Sequence, residues 1–336
     1  MVFSKKKHRT ADSQFPPPVS SDPQFPQKNR RLKAHWQALR PRQWTKNLIV
    51  FAASLFAFQM NPQTLLDDLL AFVLFCCASS SFYLINDIAD VKADRQHPVK
   101  CKRPIAAGLV TVPTAVLMAI GLLGGALLLG WLQSPALGGV ILAYAALQVA
   151  YNLRLKRTVL LDIVAIAMGF VLRAIAGGAA SGIALSPWFL VCTAMLALFL
   201  GVEKRKAELR LQAIKGGKTR ASLQRYSPEL LSRMENIVTT GAIITYALWS
   251  SGPKVEGAST AWMMLTLPFV LYGIFRYQLL SDPQEIARRS DHLEQGGQTE
   301  RPEEVLLKDK PMLLTVLGWV LVSFCILLLQ DKGLIQ

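Results

Sequence analysis

Long stretches of apolar residues recur along this 336-residue chain, many of them about twenty residues in length, which is what a helix needs to cross a hydrocarbon core about 30 Å thick. Reading them in order gives candidate spans near 47–60, 65–86, 112–132, 135–151, 159–181, 187–203, 235–251, 260–280 and 312–330. The first is short, and the segment from Trp36 lengthens it. A mean hydropathy of +0.32 with 52% hydrophobic residues excludes an ordinary soluble domain of this length. The expected fold class is an all-α integral membrane protein of nine transmembrane helices.

The distribution of cations orients these spans. Segments 61–64, 133–134 and 182–186 carry no Lys or Arg, and 251–259 carries only Lys254. The intervening connections are rich in them: Lys92, Arg95, Lys100, Lys102 and Arg103; then Arg154, Lys156 and Arg157; then a group from Lys204 to Arg233; then Arg288 to Lys310. Cation-rich loops stay in the cytoplasm, so the N-terminus is expected inside and the C-terminus outside. The implied location is the cell membrane, crossed many times.

Most of the net charge of +15 follows from this topology and from attraction to anionic lipid heads. Nucleic-acid binding is not expected, because no stacking aromatics interleave with the basic loops. Residues 1–34 combine Lys5-Lys6-Lys7-His8-Arg9 and Pro16-Pro17-Pro18 with little apolar surface, and read as a disordered cytosolic tail. They lack the pattern of a cleaved leader. Residues 35–336 form the expected membrane domain. The five cysteines and four histidines show no metal-binding spacing.

Chemistry concentrates on the cytoplasmic side. The span 65–86 runs into Asn86-Asp87-Ile88-Ala89-Asp90-Val91-Lys92-Ala93-Asp94. A helix continuing through this motif places Asn86, Asp90 and Asp94 in one row. Oxygen ligands beside many cations suit Mg²⁺ and a phosphorylated substrate. Three more patches fall on the same face: Arg40-Pro41-Arg42-Gln43-Trp44-Thr45-Lys46-Asn47; Tyr151 to Arg157, followed by Asp162; and Glu203 to Leu209. Asp162 and Arg173 lie about three turns apart on one helix face, which places Arg173 roughly 20 Å deep. An arginine there faces the bundle interior, either touching an anionic substrate or pairing within the bundle. Gly177-Gly178 point to close helix packing. Gly216-Gly217-Lys218-Thr219 is not a nucleotide loop, since Gln212 stands where the motif needs glycine.

The run Asn86–Asp94 resembles the NDxxDxxxD signature of the UbiA superfamily of intramembrane prenyltransferases. Finer features are similar to its decaprenyl-phosphate phosphoribosyltransferase branch. They are the Arg40–Asn47 opening, Asp94-Arg95-Gln96-His97-Pro98 leading to Lys102–Gly108, the Tyr151/Lys156/Asp162/Arg173 pattern, and Lys204-Arg205 with Glu208-Leu209. The resemblance covers residues 36 to 330. It implies nine helices around a central cavity open to lipid. A second DxxxD pair, which aromatic prenyltransferases of this superfamily carry, is absent: Ile166 stands four residues after Asp162.

The implied reaction takes phosphoribosyl diphosphate and a polyprenyl phosphate to polyprenyl-phosphoryl-5-phosphoribose and diphosphate. The resemblance implies Mg²⁺ bound by Asn86, Asp87, Asp90 and Asp94, with Asp90, Asp94, Tyr151 and Asp162 as catalytic candidates. Lys46, Arg103, Lys156, Lys204 and Arg205 are the implied phosphate-binding residues. Transfer of a prenyl group from prenyl diphosphate to an aromatic acceptor is the competing reaction. A transporter, suggested by intramembrane Asp162 and Arg173, is disfavoured by the clustering of acids at one membrane face.

Overall fold

The computed structural model of the chain describes residues 27–97, 99–215, 222–252, 257–288, 305 and 308–335. Every regular element among them is helical. Helix α1 (Gln27–Ala38) includes residues 27–34 of the segment expected as tail. A 3₁₀ segment (Pro41–Phe51) leads into α2 (Ala52–Phe56), α3 (Pro62–Ala89) and the short α4 (Val91–Gln96). Then follow α5 (Val112–Gln133), α6 (Pro135–Leu153), α7 (Leu161–Ser181), α8 (Pro187–Lys215) and α9 (Pro228–Ser251). A 3₁₀ turn (Ala261–Thr266) opens α10 (Leu267–Ser281); α11 (Pro283–Arg288) and α12 (Lys310–Asp331) complete the described chain. The glycine-rich turn at 216–219 lies outside the described residues.

Several helix starts are written into the sequence as a polar residue followed within two positions by proline. Asn61, Thr111, Ser134, Ser227 and Asp309 each accept a hydrogen bond from a first-turn backbone N–H. The proline supplies no N–H and needs no partner there. Each such cap contributes about 1 kcal/mol and leaves fewer bare amides near the bilayer.

Among the described residues, seven helices are long and apolar enough to cross a membrane: Pro62–Ala89, Val112–Gln133, Pro135–Leu153, Leu161–Ser181, Pro187–Ala213, Ala261–Ser281 and Lys310–Asp331. The other two expected spans are built differently. The stretch 47–60 is not one α-helix. Arg40 adopts a left-handed conformation (φ 55°), and Pro41 then starts the tighter 3₁₀ winding. That winding brings the Val50 backbone against α7, where a Cβ on Gly177 would lie 1.9 Å from the Val50 carbonyl oxygen. Gly178 likewise meets the Ile183 carbonyl, so this glycine pair serves close packing. The stretch 235–251 does lie in a helix, α9, but Glu235, Asn236 and several threonines dilute its apolar character.

Consecutive long helices pack side by side, α3 on α5, α5 on α6, α6 on α7, α7 on α8 and α8 on α9. Adjacent helices therefore alternate in direction. The ends of α3, α6 and α8 and the starts of α5, α7 and α9 gather at one end of the bundle. In α3, 61% of the most apolar stretch is buried, against 22% in α5 and α12, so α3 is central and those two are peripheral. One core joins α3, α6 and α7 through Phe75, Ala78, Phe82, Tyr144 and Ala176. A second joins α8, α9 and α10 through Phe199, Val202, Leu231, Ala242 and Ile274.

Candidate active site

Between the two cores, at the end where those helix termini gather, lies a cavity of about 190 Å³. It is lined by residues of the 3₁₀ segment, α3, α6, α7 and α8, among them Lys46, Asn86, Tyr151, Arg173 and Lys204. Of the residues singled out from sequence, Lys46, Asn86, Tyr151 and Lys204 are thus brought to one wall system. They arrive from segments more than 150 positions apart. Lys46 Nζ donates to Gln43 Oε1 (2.6 Å), one turn back on its own segment.

The acidic motif is bent rather than straight. α3 ends at Ala89, and Asp90 (φ −93°, ψ 4°) caps it before α4 begins. Asn86 borders the cavity and Asp90 is exposed one turn further on. Asp87 and Asp94 are buried and turn to cations instead. Arg40 Nη2 donates to Asp87 Oδ1 at 2.5 Å, and the Arg40 guanidinium also lies over the Tyr83 ring. Arg103 Nη1 bridges Asp87 Oδ1 (3.0 Å) and Asp94 Oδ2 (2.6 Å). The expected single row of Asn86, Asp90 and Asp94 is therefore divided by the kink at Asp90. Among the described residues no three His, Cys, Asp or Glu side chains converge as a metal cluster. Asn86 on the cavity wall and the exposed Asp90 one turn further along the chain remain as hard oxygen donors. A pair of this kind fits Mg²⁺, which keeps several waters and completes its octahedron with phosphate oxygens.

Asp162 and Arg205 sit apart from the cavity, in a sealed network. Both are fully buried, with Arg205 Nε 3.2 Å from Asp162 Oδ2. Arg205 also pairs with Glu208 one turn on. Tyr226 donates its hydroxyl to Asp162 Oδ1 (2.8 Å) and accepts the Leu160 backbone N–H (2.8 Å). Burial pushes the Tyr226 phenol up from its ordinary value, so it stays protonated and remains a donor. Leu160 is itself in a positive-φ conformation (70°) just before α7, held there by that bond. The network fastens the loop before α9 to the start of α7. Lys156 lies half-buried in the 3₁₀ turn Leu155–Arg157, outside the cavity lining, and its carbonyl accepts from Ser222 Oγ. On another side of α8, Lys206 pairs with Glu203 and Glu235, and Gln278 of α10 donates to Glu235.

The family model described as UbiA prenyltransferase family matches residues 47–292. The chain belongs to the UbiA prenyltransferase family. It is 39% identical over 299 residues to the decaprenyl-phosphate phosphoribosyltransferase of Corynebacterium glutamicum, covering 87% of this chain and 85% of that protein. It is 38% identical to the protein of the same name from Mycolicibacterium smegmatis, over 84% of this chain and 89% of that one. Among solved structures, a UbiA homologue from Archaeoglobus fulgidus bound to GPP and Mg²⁺ superposes with a TM-score of 0.63 at 18% identity, covering 87% of this chain and 98% of the other. That likeness establishes a UbiA-type helical fold.

In this UbiA-family chain, the roles of Arg40 and Asn47 are not visible in the Arg40–Asn47 motif itself. Their work appears in three dimensions: Arg40 grips Asp87, and Asn47 accepts a hydrogen bond from Arg173 (2.6 Å). Tyr83, Tyr144 and Gln148, which also line the cavity, were not anticipated. Their polar groups sit one or two turns from Asn86 or Tyr151 within otherwise apolar helices, and that spacing was the available signal. Ile166, at the position where a second acidic pair would continue, lines the cavity as an apolar wall.

Proposed function

We propose that this UbiA-family protein transfers 5-phosphoribose from phosphoribosyl diphosphate to a polyprenyl phosphate of decaprenyl type, releasing diphosphate. The observation that carries the reading is the composition of the cavity wall. It combines Asn86 with cations from three segments, Lys46, Lys204 and Arg173, while an isoleucine occupies the place of a second acidic pair. Such a wall favours a donor richer in phosphate than a prenyl diphosphate. The names of the relatives at 38–39% identity agree with it.

Asn86, on the cavity wall, and Asp90, one turn beyond it, are the proposed Mg²⁺ ligands. When bound, the ion supplies Lewis-acid stabilisation to the departing diphosphate. Lys46 and Lys204 hold donor phosphates by charge-assisted hydrogen bonds. Tyr151 stands on the same wall, where its hydroxyl contacts the ribose as positive charge develops at C1. Arg40 and Arg103 fix Asp87 and Asp94, keeping the α3–α4 corner rigid beneath the reacting groups. The acceptor phosphate is already ionised at neutral pH, so no general base is required. Catalysis then rests on positioning and on fixed charge. Arg205 and Asp162 brace this wall from behind and touch no substrate in this scheme.

The proposed topology has nine crossings, counting the broken segment 41–56 and α9, with the N-terminus and the cavity mouth cytoplasmic in the cell membrane. Residues 35–336 are the proposed catalytic unit, and α1 extends it back along the chain, with Ala34 in one buried cluster with Leu84 and Ile105. The lipid chain approaches from the bilayer and the sugar donor from water. Mass spectrometry of lipid products tests the reaction. The purified protein is incubated with Mg²⁺ and either phosphoribosyl diphosphate plus a polyprenyl phosphate, or a prenyl diphosphate plus an aromatic acid. A phosphoribosylated lipid in the first mixture is expected. A prenylated aromatic in the second, with nothing in the first, overturns the assignment.

A further inference from the structure

Arg173 lies twelve residues into α7, which sets it about 18 Å along the helix axis from Leu161. It is only 6% exposed, yet it lines the cavity. Its guanidinium cannot shed its charge. Four other arginines answer their charge with a carboxylate: Arg40 with Asp87, Arg103 with Asp94, Arg205 with Asp162 and Arg276 with Asp309. Arg173 differs. Nε donates to Asn47 Oδ1 (2.6 Å), Nη1 to the Gly169 carbonyl (2.7 Å) and Nη2 to the Tyr144 hydroxyl (3.0 Å), all uncharged oxygens.

These three bonds use three of the five N–H donors of a guanidinium, one on each nitrogen, and leave one each on Nη1 and Nη2. The group is also held in place with care. The rings of Tyr144 and Phe170 lie 4.9 Å and 5.6 Å from its central carbon. Asn47 is fixed by its own amide, which donates to Cys76 Sγ and Ser79 Oγ, so that its oxygen faces the arginine. Gly169 leaves the space that the guanidinium occupies, since a Cβ there would come within 3.2 Å of Nη1. A rigid, desolvated cation with two spare donors and only neutral hydrogen-bond partners is an arrangement completed by an anion from outside the chain.

We propose that Arg173 forms the floor of the cavity as a phosphate-monoester subsite, binding the anion through its remaining Nη1 and Nη2 donors. The proposal rests on the phosphoribosyl transfer described above, because both substrates of that reaction carry a phosphate monoester. One is the head of the lipid acceptor and the other is the 5-phosphate of the donor. Lys46, Lys204 and Asn86 at the mouth then take the diphosphate, and Arg173 reads the second phosphate below it. Two anionic levels in one cavity place the two ends of the reaction at a fixed separation.

The test uses the purified full-length protein without Mg²⁺ and follows its thermal unfolding in the presence of farnesyl phosphate, ribose 5-phosphate, or farnesol as a phosphate-free control. At least one of the two monoesters is expected to raise the unfolding temperature of the wild type beyond farnesol. Arg173→Gln is expected to lose that rise and Arg173→Lys to reduce it. A rise with farnesyl phosphate assigns the floor to the lipid acceptor, and one with ribose 5-phosphate assigns it to the donor. In turnover, Arg173→Gln raises the KM of that same substrate about tenfold or more and leaves the other KM in place. No rise with either monoester, or a rise as large in Arg173→Gln as in the wild type, overturns the proposal. If Arg173→Gln does not fold, an undiminished rise in Arg173→Lys overturns it equally. The wild-type product assay is scored separately, so absence of phosphoribosyl lipid refutes the reaction while the binding arms still judge the subsite.

Discussion

Arg40 and Asp87 lie 47 positions apart in the chain, yet the guanidinium of one stands 2.5 Å from the carboxylate of the other. The contact ties the N-terminal 3₁₀ segment to the kinked end of α3, and Arg103 extends it to Asp94. Both arginines are about 30% exposed whereas both aspartates are buried, so removing a cation strands a carboxylate. Breaking a fully buried pair this way costs about 3–5 kcal/mol; partial exposure reduces that here to about 1–2 kcal/mol. Arg103→Ala is therefore expected to lower the unfolding temperature and to cut turnover together. An Arg103→Ala protein as stable as the wild type would show that Asp87 and Asp94 do not need this bridge.

Asp90 contrasts with its neighbours. It is exposed at the kink between α3 and α4, where substitutions shift stability by about 0.5 kcal/mol or less. Asp90→Ala is expected to insert and extract normally and to lose turnover at least about a hundredfold, as removal of a metal-binding oxygen does. Asp90→Ala should also need more Mg²⁺ for half-maximal residual rate, and chelator treatment should silence the wild type. Normal turnover in Asp90→Ala, or in chelated wild type, removes the metal role from this corner.

The gross fold was legible because span-length hydrophobicity and loop charge are properties of local sequence. The positions of α3, α5, α6, α7, α8, α10 and α12 follow from it directly. The broken first span was not legible, because its cause is a contact between Val50 and Gly177, far apart in the chain. The site was legible as an inventory of residue types on one face. Lys46, Asn86, Tyr151 and Lys204 do meet at the cavity. What sequence could not decide was direction. Lys204, Arg205 and Lys206 are consecutive on α8, and each successive side chain turns about 100° around the helix. One therefore lines the cavity, the next is sealed against Asp162, and the third pairs with Glu203 and Glu235.

The close approach at Gly177 gives a prediction about the scaffold. Any side chain at that position meets the Val50 backbone, which cannot move aside as a flexible side chain would. Gly177→Ala is expected to push the 3₁₀ segment away from α7 and lower stability by about 1–3 kcal/mol, the usual range for overpacking. Because Asn47 and Lys46 ride on the same segment, turnover falls with it. Gly182→Ala, at a turn with open space around it, provides a control whose only burden is its positive φ. Equal stability of Gly177→Ala and wild type would show that the 3₁₀ segment is not seated this tightly.

Lys204 and Arg205 are adjacent cations, and their substitution is expected to fail in different ways. Lys204 is on the cavity wall, so Lys204→Ala should fold with little loss and raise the donor KM about tenfold, the usual scale for one charged hydrogen bond. Arg205 is fully buried between Asp162 and Glu208, and Arg205→Ala leaves an unanswered carboxylate in the bundle. That costs about 3–5 kcal/mol and should appear as poor yield and early unfolding. Whatever Arg205→Ala protein does survive should retain a donor KM close to that of the wild type. Detergent-solubilised unfolding curves and KM values for the two variants separate these outcomes. A stable Arg205→Ala with a raised donor KM would place Arg205 on substrate after all and break the division between wall and brace.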